Sequence, residues 1–163
     1  MGNIKLVRID SRLIHGQVIT KWIPITGSKT VIIIDDELYK DDFMGQIYAS
    51  AAPKGVKCSI LSVNEAIKRL QEDRLSEGNT MILFQDIENC YQAFKKGFTF
   101  NDLQLGELPK KGERINVFKA ISFDLSEALK LKEISDSGVD VVLQPVPELS
   151  KTKLEKVLKQ FKL

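Results

Sequence analysis

Short runs rich in Val and Ile, each bounded by polar residues or glycine, recur along the whole chain. They are NIKLVRI (3–9), TVIIID (30–35), VKCSIL (56–61), NTMILF (79–84), RINVFKAI (114–121) and VDVVLQ (139–144), with a shorter candidate at 102–105. Runs of this length and composition read as β-strands. Those apolar at every position, such as 31–34 and 81–84, have no face to leave in water. The stretches between them carry helix-start signals. Ser62 precedes Glu65 and Asp124 precedes Glu127 at capping-box spacing, and Leu154, Val157, Leu158 and Phe161 fall on one helical face of a segment read as helix from Ser150. Gly55, Gly78 and Gly138 stand where helices end before the next strand. Strand–helix alternation with doubly buried strands predicts an α/β fold: an open, mostly parallel, doubly wound sheet with helices on both faces.

At 163 residues the chain suits one domain, 1–163, with a substantial core. The 24 basic and 22 acidic residues leave a net charge of +2, which gives no electrostatic reason to expect a nucleic-acid partner. No apolar run approaches the ~20 residues of a membrane span, and the first ten residues lack the apolar segment of a signal peptide. Cys58 and Cys90 are isolated within or beside apolar segments and read as buried free thiols. One histidine and two distant cysteines do not make a zinc site, so no metal is expected.

In doubly wound sheets, ligands bind outside the carboxyl ends of the strands. Three loops fall at that edge: Asp10–Gly16, Asp35–Glu37 and Gln85–Glu88. The first holds the chain's only histidine, His15, close behind Arg8, Asp10 and Arg12. Ile14, Val18 and Trp22 recur every four residues, so a helix is expected to begin near His15 or Gly16 and to pack on the sheet. His15 then lies at the positive end of that helix, where free N–H groups favour an anion. Arg8 and Arg12 each offer a planar fork of donors suited to phosphate oxygens. The same two cations disfavour imidazolium. If Asp10 turns into the backbone of its own loop, the ring stays neutral and nucleophilic. The residues alone thus point to a phosphate-handling histidine on an α/β sheet. No diffusible cofactor is expected, since the arginines and the helix terminus can supply the positive charge that phosphoryl transfer needs.

RIDSRLIHGQVITKW (8–22) resembles the signature of the enzyme IIB components of the mannose/fructose/sorbose class of the bacterial sugar phosphotransferase system. The likeness runs on through VIIIDDELYKDD, ASAAPKGVKCSILSVNEAIKRL and LFQDIENCYQAFKKG, and more weakly to the C-terminus. This resemblance implies that His15 accepts a phosphoryl group, on Nδ1, from the phosphohistidine of a IIA protein or domain. The group then passes to a sugar carried by membrane components IIC and IID. It assigns charge compensation to Arg8 and Arg12, backbone donors to Gly16 and Gln17, and a part in the loop's architecture to Asp10. The residues themselves give Asp35, with Asp36, a supporting role: shaping the rim of the site or capping the following turn. It further implies a cytoplasmic protein peripherally associated with its permease, and admits a homodimer. Relatives usually carry an NVGG-type stretch where this chain has Gln104–Leu105–Gly106–Glu107.

Two other readings compete. Asp35 and Asp36 after an apolar strand, Asp86 after a later one and Lys119 within another could assemble a Mg²⁺-dependent aspartyl-phosphate receiver. Against this, the acids follow the second strand rather than the first, and Ala120 stands where such domains usually have proline. The third reading is a non-catalytic α/β ligand-binding module, but no G-x-G-x-x-G or P-loop sequence supports a nucleotide site.

Overall fold

The computed structural model describes residues 2–163. The elements run β1 (Asn3–Ile9), a π-helix (Val18–Trp22), α1 (Ile23–Thr26), β2 (Thr30–Ile34), α2 (Asp36–Lys40), α3 (Asp42–Ala51), β3 (Lys57–Leu61) and α4 (Val63–Gln71). They continue with β4 (Asn79–Phe84), α5 (Ile87–Lys95), β5 (Asp102–Leu105), β6 (Ile115–Phe118), β7 (Ile121–Phe123), α6 (Leu125–Asp136), β8 (Asp140–Leu143), β9 (Thr152–Lys153) and α7 (Leu154–Leu158). A seven-stranded sheet has the order β3-β2-β4-β1-β5-β8-β9, parallel except for the short edge strand β9.

Alternation along the central strands divides the core. Val7, Ile9, Ile32, Ile34, Ile82 and Phe84 face one side and pack against α4, α5, α6 and α7. Val31, Ile33, Met81 and Leu83 face the other and meet Val18, Trp22 and Ile23, with Leu38 of α2 and Tyr48 of α3 beside them. This is the expected doubly wound sheet, with helices on both faces. A strand buried on both sides has no polar face, which is why 31–34 and 81–84 are uninterrupted apolar runs.

Local details depart from the sequence reading. The run 114–121 is not one strand but the start of a hairpin: β6 and β7 pair antiparallel in a separate two-stranded sheet. Lys119 turns the chain with φ +48°, so it lies in the hairpin turn rather than mid-strand. The C-terminal helix begins at Leu154, not Ser150, because Thr152 and Lys153 first pair with β8. Asp124 and Glu127 form the full capping box, at 2.8 and 3.0 Å. At the other expected box, Ser62 caps the Glu65 amide, but the Glu65 carboxylate pairs with Arg69 at 2.7 Å instead of reaching back. Cys90 is fully buried; Cys58 is only partly so, and burial pushes its thiol up to about 12.

The chain direction along the sheet reverses around β1, whose neighbours are β4 and β5. The crevice at such a reversal lies at the carboxyl ends of these strands, and residues 10–17 leave β1 there.

Candidate active site around His15

Beyond β1 the backbone stays clamped between its neighbours. The Asp10 amide donates to Phe84 O at 2.9 Å, Gly106 N to Ile9 O at 2.8 Å, and Ser11 N to Glu107 O at 2.9 Å. The chain then turns, with Leu13 N bonded to Asp10 O at 3.0 Å. Leu13 adopts a left-handed φ of +56° although it is not glycine. Such a conformation costs about 1–3 kcal/mol. Complete burial of the leucine side chain offsets it. Helical backbone begins at Gly16, as the sequence predicts, and widens to a π-turn at Val18–Trp22. The strict four-residue recurrence of Ile14, Val18 and Trp22 is longer than the 3.6 of an α-helix, and the wider turn accommodates it. That turn carries Trp22 over Arg8, whose Cζ lies 5.0 Å from the ring centroid.

At the centre is Asp10, fully buried. Its Oδ2 lies 3.1 Å from His15 Nε2 and 3.1 Å from Arg8 Nη2, while Oδ1 accepts from Arg12 Nε at 3.1 Å and from the Arg12 amide at 3.0 Å. Burial alone would raise its pKa. The hydrogen bonds from His15 and Arg12 and the Arg8 charge outweigh this, holding the carboxyl down to about 2. The expectation that Asp10 turns wholly into its own loop is therefore met by one oxygen only; the other faces the imidazole. An ionised carboxylate there requires a proton on Nε2. The Gln17 amide donates to Nδ1 at 3.3 Å, which leaves the lone pair on that nitrogen. The ring is thus set in one tautomer, with Nδ1 as its nucleophilic atom at the head of the helical run.

The two arginines differ. Arg8 is fully buried, and its five N–H donors are all taken: two by Asp10 and one each by Gln104 Oε1, Gln144 O and Pro145 O. It has no donor left for an incoming phosphate, so its expected role as a phosphate fork gives way to holding Asp10 in place. Arg12 is 41% exposed and spends Nε and one Nη2 donor on Asp10. Its Nη1 has no protein partner among the described residues and faces no such limit.

Asp35 joins none of this. It is buried at the end of β2, caps the amides of Glu37 and Leu38 at 3.0 Å, and accepts from Asn89 at 3.3 Å. Asp36 is likewise turned to the Val63 amide at 2.8 Å. With both acids committed to helix starts, and Lys119 in a hairpin of the other sheet, the receiver arrangement is not assembled.

Four residues around the site have no role in the sequence reading: Gln144, and Gln104, Gly106 and Glu107 of the stretch noted above only as a departure from relatives. Gln104 is the cross-strand partner of Arg8, and its amide passes the network to Gln144 Oε1 at 3.1 Å. The signal was present, since Gln104 within β5 and Gln144 just after β8 are polar residues in buried positions of apolar runs. Gly106 lies against the Arg8 guanidinium: a Cβ there would stand 2.7 Å from Nε and closer still to Cζ and Nη2. Gly106→Ala is expected to cost about 1–3 kcal/mol and to move Arg8 off Asp10. An unchanged unfolding midpoint would contradict this packing.

The PTS system sorbose subfamily IIB component model matches residues 4–163. The chain belongs to this IIB family. It is therefore a phosphocarrier component of a sugar phosphotransferase system, and its general chemistry is phosphoryl transfer. This IIB component is 32% identical to the sorbose-specific EIIB component of Lacticaseibacillus casei over 143 residues, 88% of this chain and 87% of the relative. It superposes on the crystal structure of manxB from Thermoanaerobacter tengcongensis with a TM-score of 0.90 at 35% identity, covering 99% of this chain and 98% of that one. It also matches 47% of the mannose-specific EIIAB component of Escherichia coli K12 at 26% identity, over 93% of its own length.

Proposed function

We propose that His15 is the phosphorylated residue of this IIB component, taking the phosphoryl group on Nδ1 from the phosphohistidine of a IIA protein or domain. The observation that carries this is the buried Asp10 carboxylate on Nε2, which leaves Nδ1 unprotonated at the head of a helical run, its lone pair met only by the Gln17 amide at 3.3 Å. Phosphoryl transfer between nitrogens needs in-line approach and charge compensation more than covalent help. Arg12 supplies a part-exposed cation with its Nη1 donors unspent, and the amides of Gly16 and Gln17 supply fixed donors. Asp10 stabilises the ring as it becomes cationic on phosphorylation. Arg8 works one step back, fixing Asp10. The mannose-specific EIIAB relative, which is about twice this chain's matched length, supports a IIA partner.

The onward acceptor is a sugar bound by membrane components IIC and IID. No helix among the described residues is long and apolar enough to cross a membrane. The chain is proposed to work at the cytoplasmic face of that permease, associated peripherally, with a homodimer as one assembly to test.

The test is phosphoryl transfer from phosphoenolpyruvate through the general phosphotransferase proteins and a cognate IIA. One acid-labile, alkali-stable phosphate per chain is expected, absent in His15→Ala. Label that survives this substitution, or that resists acid, would overturn the assignment. A hydroxylamine-sensitive label requiring Mg²⁺ would restore the aspartyl-phosphate reading.

A further inference from the structure

We infer that Glu107, in the loop after β5, weakens the hold of the site on its phosphoryl group by contesting Arg12. The inference rests on His15 being the acceptor and adds what sets the stability of the phosphorylated state.

Glu107 is not a free surface acid. Its carbonyl accepts from Ser11 N at 2.9 Å, and the preceding Gly106 amide is bonded to Ile9 O, so the backbone holds its side chain beside the histidine loop. The carboxylate accepts from the Ser11 hydroxyl and lies 3.6 Å from Arg12 Nε. Its side chain is 20% exposed, so solvent screens it only in part. The resting site holds two guanidinium cations, Arg8 and Arg12, against two carboxylates, Asp10 and Glu107, around a neutral ring. These charges balance without any phosphate.

On transfer, the Nδ1 lone pair forms the new N–P bond while the bond from phosphorus to the donor nitrogen breaks, its electron pair returning to that nitrogen. The Nε2 proton stays on His15, so the ring becomes cationic beside Asp10. The arriving phosphoryl oxygens then bring negative charge to a site whose only uncommitted guanidinium donors, among the described residues, belong to Arg12. Arg12 must serve Asp10, Glu107 and the phosphoryl group together. Since Glu107 is held by its backbone and its carboxylate by the Ser11 hydroxyl, its charge stays. The phosphorylated state is destabilised relative to the free one, and the phosphoryl group leaves more readily for the next acceptor.

The experiment uses the full chain with phosphoramidate as donor at a set excess of ammonium, with ³¹P NMR reading the ratio of phosphorylated to free His15. In this exchange the P–N bond of phosphoramidate breaks and ammonia leaves. Glu107→Gln retains an acceptor for the Ser11 hydroxyl and removes the charge. That ratio should rise by about five- to tenfold, the scale of one charge acting across a partly screened site. Glu107→Asp keeps the charge and should stay near the wild-type ratio, with thermal unfolding showing both variants folded. If Gln and Asp shift the ratio alike, shape rather than charge is at work and the inference fails. A Glu107→Gln ratio equal to or below wild type overturns it too, while His15 remains the acceptor. Wild-type protein that takes no phosphoryl group on His15 overturns the acceptor assignment itself.

Discussion

Asp10→Asn should lose about 3–5 kcal/mol of folding stability, because it leaves the Arg8 guanidinium buried without its counter-charge. The substitution is nearly isosteric, so packing is not the cause. Asparagine can still accept from the Arg12 amide, but its NH₂ group then points a donor at donors of Arg8 or His15. Urea unfolding should show a lower midpoint with an unchanged slope. The pH dependence carries the same signature. The folded-state pKa of Asp10, about 2, lies below the unfolded value near ~3.9. Its contribution is therefore fully present above pH ~4 and is lost as pH falls towards ~2, about 2 kcal/mol in all. In Asp10→Asn that part of the acid limb should flatten. A loss of less than about 1 kcal/mol would mean that the Asp10 charge is not what permits a fully buried Arg8.

The two arginines, alike in the sequence motif, should separate under the same Arg→Lys substitution. Arg8→Lys exchanges five fixed donors for three on a single nitrogen, which cannot reach Asp10, Gln104, Gln144 and Pro145 together, and it removes the flat group stacked on Trp22. A stability loss of about 2–4 kcal/mol is expected, from buried acceptors left unpaired. Arg12→Lys acts on a half-exposed side chain and should change stability by less than about 1 kcal/mol. Its effect should fall on rate. A point charge replaces the guanidinium fork, and phosphoryl transfer should slow roughly ten- to hundredfold, equivalent to about 1.4–3 kcal/mol. Paired measurements of urea midpoint and transfer rate check both. If Arg8→Lys is stable but slow, Arg8 meets the phosphate directly and the two arginines do not divide their roles between Asp10 and the phosphoryl group.

What the sequence made legible follows from how strongly local pattern constrains each feature. Doubly buried strands cannot hide, and β1, β4 and β5 begin and end where their apolar runs do. The helix start at Gly16 was readable from the spacing of Ile14, Val18 and Trp22. The β6–β7 hairpin was not, because its turn uses Lys119 in a left-handed conformation and neither Asn nor Gly marks the place. At the site, His15, Arg12 and Asp10 are neighbours in sequence as well as in space. The partners of Arg8 come from about 100 and 140 residues away, brought in by strand order, which no local pattern reports. Adjacency in the motif made Arg8 look like a phosphate ligand; only its burial shows where its donors go.

The mechanism turns on which nitrogen of the sole imidazole carries the phosphoryl group and which carries the proton. With ¹⁵N-labelled histidine as the only labelled residue type, both can be read by NMR in the free and phosphorylated protein. The free ring should show a protonated Nε2 and an unprotonated Nδ1, as the Asp10 and Gln17 contacts require. After phosphorylation, ³¹P coupling should appear on Nδ1, with the Nε2 proton retained. A free ring protonated on Nδ1, or phosphorus bonded to Nε2, would contradict the role given to Asp10 and with it the mechanism.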